Sequence, residues 1–469
     1  THCSRRERQQ RNALLTHPTA LGHLLRPPTA NVRDPCFLYM PATARARDPL
    51  FDDDDGDFSD GDDEDLTIGF DPLFASGFGT MTVAESASMV RSAGAGSTAP
   101  GATVGSGDAA DPSVAAAPPP PALLLEMQTS TSVRAQCSRF NADGTLIATG
   151  YEDGSVKVHN TITGHAAYYF NPKHYGGDET GMCTALRFLP SSASRDSQNF
   201  AIVASSTGRI WHWHATSGKC LGARRGAPIV EAEDNQIFAL DVRGDGATFA
   251  TAGCDGAVRV YDEATHKLRA TLRGQGEGSS RQTLKESGGG GSGGGHTSRV
   301  FGLKYARDDE NVMVSGGWDN TLQMWDERCG DGAVRSMFGP HVCGDALDVV
   351  GTEILAGSWR DYNALQVWDM GSGQLVQDVP FGALPLERNC LLYAARFGRP
   401  GGRCSGLVFA GGSGSNEARV VDRTSGRCVA RVGALSSAVH SVDLSPDEHV
   451  MAVTCADGVR LYAAPRGAA

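Results

Sequence analysis

SGGWDNTLQMWDE, residues 315–327, is the stretch that decides how this chain folds. Ser315 and Gly316 close one strand, Trp318-Asp319-Asn320 make a tight turn, and Leu322 to Asp326 open the next. Working outward, weaker copies recur every ~40–60 residues. They read TGYEDGSVKVHN (149–160), SSTGRIWHWH (205–214), TAGCDGAVRVYD (251–262), SWRDYNALQVWD (358–369), GSNEARVVD (414–422) and TCADGVRLYA (454–463). Seven strand–turn–strand units of this kind make an all-β repeat architecture. Glycine suits their turns because it tolerates positive φ, and aspartate because it caps its own backbone turn.

The pattern resembles the WD repeat, and the resemblance implies a seven-bladed WD40 β-propeller over residues 121–463. Each blade then needs four antiparallel strands, and no sheet edge can be left bare. Outer strands are expected at HAAYYF (165–170), KCLGAR (219–224), KLRATL (267–272), AVRSMF (333–338), QLVQDV (374–379) and RCVARV (427–432). These are six for seven units. PALLLEMQT (121–129) is the strand-type run just before the first unit, so it is expected to complete blade 7 and close the ring from the N-terminal side. Inner strands lie within CSRFNADGTLIATG (137–150), FALDVRGDGATFATAG (238–253) and HSVDLSPDEHVMAVTC (440–455), each an apolar strand meeting a turn and then a second strand.

The resemblance also implies residue roles. His296, Ser315, Asp319 and Trp325 of blade 4 stand where the family has a buried hydrogen-bond chain that rigidifies a blade. Asp153, Asp255 and Asp457 occupy the same turn position as Asp319, and Trp213 and Trp368 the aromatic position of Trp325; blades 6 and 7 carry Val421 and Tyr462 there. A histidine, a serine and an aspartate also make up a hydrolase triad, but Ser315 lies in mid-strand with no G-x-S-x-G elbow. His212 and His214 alternate along a strand and share one side. Trp213 between them makes this the third strand of blade 2, and no cysteine or carboxylate adjoins them to complete a metal site. The chain is therefore read as a non-enzyme without a metal or cofactor. In the family the residue beside the turn aspartate faces solvent on one rim. Tyr151, Glu152, Trp318, Trp359 and Arg360 fall there, and tryptophan and arginine are over-represented at interface hot spots. Tyr151, Trp318, Trp359 and Arg360 are accordingly expected to contact a partner.

Charge is unevenly placed. Residues 48–71 hold twelve acidic side chains and no basic one, which accounts for the whole net charge of −12 and leaves the rest close to neutral. No basic stripe is visible to neutralise phosphates, so duplex DNA or RNA is not expected as a direct ligand. Within an acidic–apolar arm (48–78), Asp-Pro-Leu-Phe occurs twice, at Asp48–Phe51 and Asp71–Phe74. Such alternation keeps short apolar anchors solvated until a partner folds them. The arm is read as disordered, a docking peptide for a basic surface such as a tubulin-associated protein or a histone. Before it lies a basic tail (1–47), read as disordered or as sequence upstream of a start at Met40. After it comes an Ala/Gly/Ser/Pro linker (79–120). A Gly-rich insertion at 273–295 has no G-K-[ST] after it and reads as a surface loop rather than a phosphate cradle. Twelve cysteines without a C-x-x-C pair suggest reduced thiols in cytosol or nucleus. No apolar run reaches the ~20 residues of a membrane helix, so no membrane association is expected.

HTSRVFGLKY (296–305), GPHVCGDALDVV (339–350), ILAGSWR (354–360) and ALQVWD (364–369) resemble WD-repeat proteins of ciliated and flagellated protists. That resemblance implies a scaffold in a large axonemal or microtubule-associated assembly. The alternatives are a nuclear histone-binding or ribosome-assembly factor, or a substrate receptor of a ubiquitin ligase.

Overall fold

A computed structural model describes residues 118, 120–128, 133–175, 181–190, 199–221, 230–231, 235–274, 294–329, 332–381 and 390–467. The chain divides into two units, Thr1–Ala109 and Ala110–Ala469, and the account below concerns the second. Asp48, Phe51, Asp71 and Phe74, the basic tail, the acidic arm, and most of the linker and Gly-rich insertion lie outside the described residues.

Seven antiparallel sheets succeed one another along the chain and form a seven-bladed β-propeller. The inner strands are Ala135–Phe140, Cys183–Phe188, Ile237–Val242, Val300–Tyr305, Leu347–Val350, Leu391–Phe397 and Val439–Leu444. Blade 4 shows the common plan: Val300–Tyr305, Val312–Gly317, Thr321–Asp326 and Arg335–Phe338 pair in that order. Its inner two strands are buried throughout while the outer one is mostly exposed. This gradient is why the middle of each repeat reads as continuous apolar sequence and the outer strand as alternating. Among the described residues no helix is long and apolar enough to cross a membrane.

The ring closes through Leu123–Gln128, which pairs antiparallel with Gly458–Ala463, Leu123 opposite Tyr462 and Gln128 opposite Gly458. Gly458 has φ +147°, and a Cβ there would lie 2.2 Å from the Met127 carbonyl oxygen. Only glycine lets the closing strand come this near. Met127, Phe140, Ile147 and Leu461 then bury the seam between blades 7 and 1.

Blade 2 departs from the expected plan. Its outer edge is covered in two pieces, Lys219–Leu221 against His212–His214 and Val230–Glu231 against Arg209–Ile210. Gly222, Gly226 and Pro228 lie between them in the sequence.

Apolar side chains meet between neighbouring blades. Phe170 of blade 1 packs at 5.4 Å from Trp213 of blade 2, both rings buried, and each such ring contributes about 1.5–3 kcal/mol relative to exposure. Six inner strands also carry a register shift near their start, at Gln136, Thr184, Phe238, Phe301, Tyr393 and His440. A bulge re-aims one side chain.

Candidate functional site

Blade 4 holds a hydrogen-bond chain. His296 Nδ1 lies 2.8 Å from an Asp319 carboxylate oxygen and His296 Nε2 lies 2.7 Å from Ser315 Oγ. The indole Nε1 of Trp325 donates to the same hydroxyl at 2.7 Å. Asp319 also accepts from the Thr297 and Thr321 backbone amides and from Thr321 Oγ1. Burial would raise its carboxyl pKa, but the bonds from His296 and Thr321 outweigh burial and hold it below the ordinary value. In the neutral tautomer whose Nδ1 proton His296 donates to Asp319, Nε2 accepts the Ser315 hydroxyl proton while Ser315 Oγ accepts from Trp325. The order of groups is that of a hydrolytic triad, yet Ser315 and Trp325 are wholly buried, so the chain is inaccessible to a substrate.

Blades 2 and 5 show what happens without the serine. Trp213 pairs with Ala201 and Trp368 with Ile354, as Trp325 pairs with Met313. Two residues on, where blade 4 has Ser315, stand Val203 and Ala356. The indole nitrogens of Trp213 and Trp368 are buried without a hydrogen-bond partner. Aspartates at the turn find other partners: Asp255 binds Arg259 and Arg273, and Asp457 binds Arg460.

The rim of blades 4 and 5 carries an aromatic belt. Trp318 stacks on Phe301 at 5.2 Å and on His341 at 6.1 Å, with the Arg299 guanidinium 5.3 Å from its ring. Phe301 stacks in turn on Phe238 of blade 3 at 4.6 Å. The Trp318 indole donates to Cys343 Sγ at 3.0 Å and the Trp359 indole to Tyr393 Oη at 3.0 Å. Asn320, held at φ +62°, accepts from Arg360 and lies 2.9 Å from His341 Nδ1, tying the two turns together. Trp318, Trp359 and Arg360 are half-buried and share this rim, while Tyr362 beside them is exposed. Tyr151 is a correction: it is only 3 % exposed and has the Lys157 ammonium over its ring at 5.1 Å, so it packs into blade 1 and presents no rim contact. Its turn neighbour Glu152 takes the exposed position instead.

His212 and His214 do share one side of their strand, over Phe200. His212 Nδ1 lies 3.0 Å from His266 Nε2, and its Nε2 is 3.3 Å from Glu263 but off the line of a hydrogen bond. Burial, with His266 and His214 nearby, pushes the His212 pKa down to about 3. Among the described residues no group of three or more His, Cys, Asp or Glu is placed to hold a metal ion.

Sequence reasoning missed a second feature, a ring of charge in the channel. Arg139, Arg187, Asp241, Lys304, Asp348, Arg396 and Asp443 occupy one register position, each opposite an apolar residue of the second strand. Each aspartate accepts a backbone N–H from the following blade: Asp443 from Phe140, Asp241 from Tyr305, Asp348 from Phe397. Asp345, at the position where blade 4 has Phe301, ion-pairs with Arg139, Arg187, Lys304 and Arg396. The signal was present as one charged residue within each apolar inner strand: SRF, LRF, LDV, LKY, LDV, ARF and VDL.

The seven-bladed ring and the Trp–Ser–His–Asp chain of blade 4 agree with a match to WD repeats in three stretches of the chain. The family model described as "WD domain, G-beta repeat" matches residues 124–160, 226–262 and 291–326. The relatives include apoptotic protease-activating factor 1 of Danio rerio, 22% identical over 245 residues, covering 52% of this chain and 16% of that protein. The ribosome biogenesis protein WDR12 homolog of Drosophila persimilis is 26% identical over 202 residues, 40% of this chain and 41% of the relative. Periodic tryptophan protein 2 of Arabidopsis thaliana is 23% identical over 247 residues, 52% and 23% respectively. The matches thus span less than half the length of each relative.

Proposed function

We propose that this chain is a non-catalytic scaffold in ribosome assembly, working in the nucleus and docking a protein partner on the rim of blades 4 and 5. The observation that carries the reading is the similarity to ribosome biogenesis protein WDR12 homologs of several Drosophila species. That alignment takes in 41% of the relative, against 16% for the apoptotic factor. The names among the relatives speak for this alternative and not for the axonemal role expected from the sequence.

Rim geometry supports docking. Trp318 and Trp359 are fixed by indole hydrogen bonds and stacking, so little side-chain entropy remains to be lost when a partner covers them. Arg360 is held by Asn320 beside them. The acidic arm with Asp48, Phe51, Asp71 and Phe74 stays in the proposal as a second contact, for a basic partner surface.

The test is sedimentation of the full chain from nuclear extract. The reading requires co-migration with pre-ribosomal particles that vanishes when ribosomal RNA synthesis is blocked. Replacing Trp318 and Trp359 by alanine should release the protein from those particles while its melting temperature falls by only a few degrees. Migration as a lone protein, or retention on detergent-extracted axonemes, would refute it.

A further inference from the structure

The mouth of the channel opposite the aromatic rim opens where the inner strands turn into the second strands. A cavity of about 390 Å³ lies there. Its wall holds the four cations of the charged ring, Arg139, Arg187, Lys304 and Arg396, and its lip holds Arg307 and Arg399 on two of the turns. The ring's three carboxylates also line it; each accepts a backbone amide of the next blade, Asp241 also accepts from Arg187 Nε at 3.0 Å, and Asp443 lies 3.8 Å from Arg396. Asp345 alone is shared among the four ring cations. Six cations therefore face four carboxylates, a surplus of positive charge inside a low-dielectric wall.

Two details show that this surplus is under-compensated. The Lys304 ammonium is 3.7 Å from Asp241 and 3.8 Å from Asp345, beyond hydrogen-bond reach of both. Arg139 Nε is buried with no hydrogen-bond partner. Burial, with Arg187 and Arg396 close by, also lowers the proton affinity of both groups, as expected of crowded cations.

We infer that this cavity is a binding site for a phosphate-class anion, either a small free phosphate compound or a phosphorylated side chain presented by a partner. Guanidinium groups match tetrahedral oxyanions in pairs, and the ammonium supplies a point charge. Two exposed arginines at the lip would guide the anion in, and the ring cations would hold it. The site lies on the face opposite Trp318 and Trp359, so it stands or falls independently of the rim.

The experiment uses the full chain and follows its melting temperature in inorganic pyrophosphate, with sodium chloride at matched ionic strength as control. A saturable rise over chloride is expected. Arg307→Ala with Arg399→Ala, both at exposed positions, should weaken the apparent Kd by about tenfold or more without lowering the melting temperature in chloride. Lys304→Met should weaken it further. Absence of a saturable rise, or the same Kd in the lip variant, would overturn the inference. A phosphoserine peptide run in parallel separates the sources: tighter binding than pyrophosphate assigns the anion to a partner chain, and equal binding assigns it to a free compound.

Discussion

Ser315 serves two buried rings with one hydroxyl, accepting from Trp325 and bonding to His296. Ser315→Ala strands both, and each unpaired buried group costs roughly 1–3 kcal/mol. A loss of about 2–4 kcal/mol in urea unfolding is expected on that basis. The converse experiment is available in blade 5. Ala356→Ser places a hydroxyl beside the orphaned Trp368 indole and should gain about 1 kcal/mol. A second residue-scale prediction concerns acid. His212 stays neutral in the fold down to about pH 3, whereas in the unfolded chain it takes a proton below its ordinary 6.5. The unfolded state thus binds more protons in that window, so this contribution is whole above pH 6.5 and is lost as pH falls towards 3. His212→Gln should flatten the fall in urea midpoint between pH 6.5 and 5. His296, Asp319 and Trp325 were legible through the resemblance of blade 4 to the WD repeat, which implies where that chain of side chains stands. Tyr151 was not, because a residue next to a turn is read as exposed, whereas this ring lies back under Lys157.

At the scale of elements, the outer strands were legible from the room left between successive copies, and the closing strand from a count of strands against blades. The split edge of blade 2 was not. KCLGAR reads as one strand; Lys219–Leu221 pair with His212–His214, and the next described stretch, Val230–Glu231, pairs further along the same edge. Closure makes a sharp prediction. Removing residues 121–129 leaves Gly458–Ala463 as a bare edge with its hydrogen-bonding groups unpaired. That variant should form large aggregates in size-exclusion chromatography. Deletion of residues 1–78 should leave the protein monomeric with an unchanged melting temperature. If the long truncation aggregates and the short deletion does not, the strand at 123–128 does not hold the ring.

For the propeller as a whole, Asp345 ties blade 5 to four other blades, through Arg139, Arg187, Lys304 and Arg396. Breaking a buried charge network by removing one partner costs about 3–5 kcal/mol. Asp345→Asn should therefore lower the guanidinium midpoint far more than the same change at exposed Asp361. The ring it serves was illegible because each charge, taken alone in its strand, passes for a solvated position. Only when seven strands are set side by side do the residues prove to share a height in one channel. The seam between first and last strands carries one further consequence, for how the molecule is made. Leu123 leaves the ribosome roughly 340 residues ahead of Tyr462, and chains grow at about 5–20 residues per second. The closing strand must therefore wait roughly tens of seconds with its apolar residues uncovered, which makes the nascent ring a client for chaperones until its last strand leaves the exit tunnel.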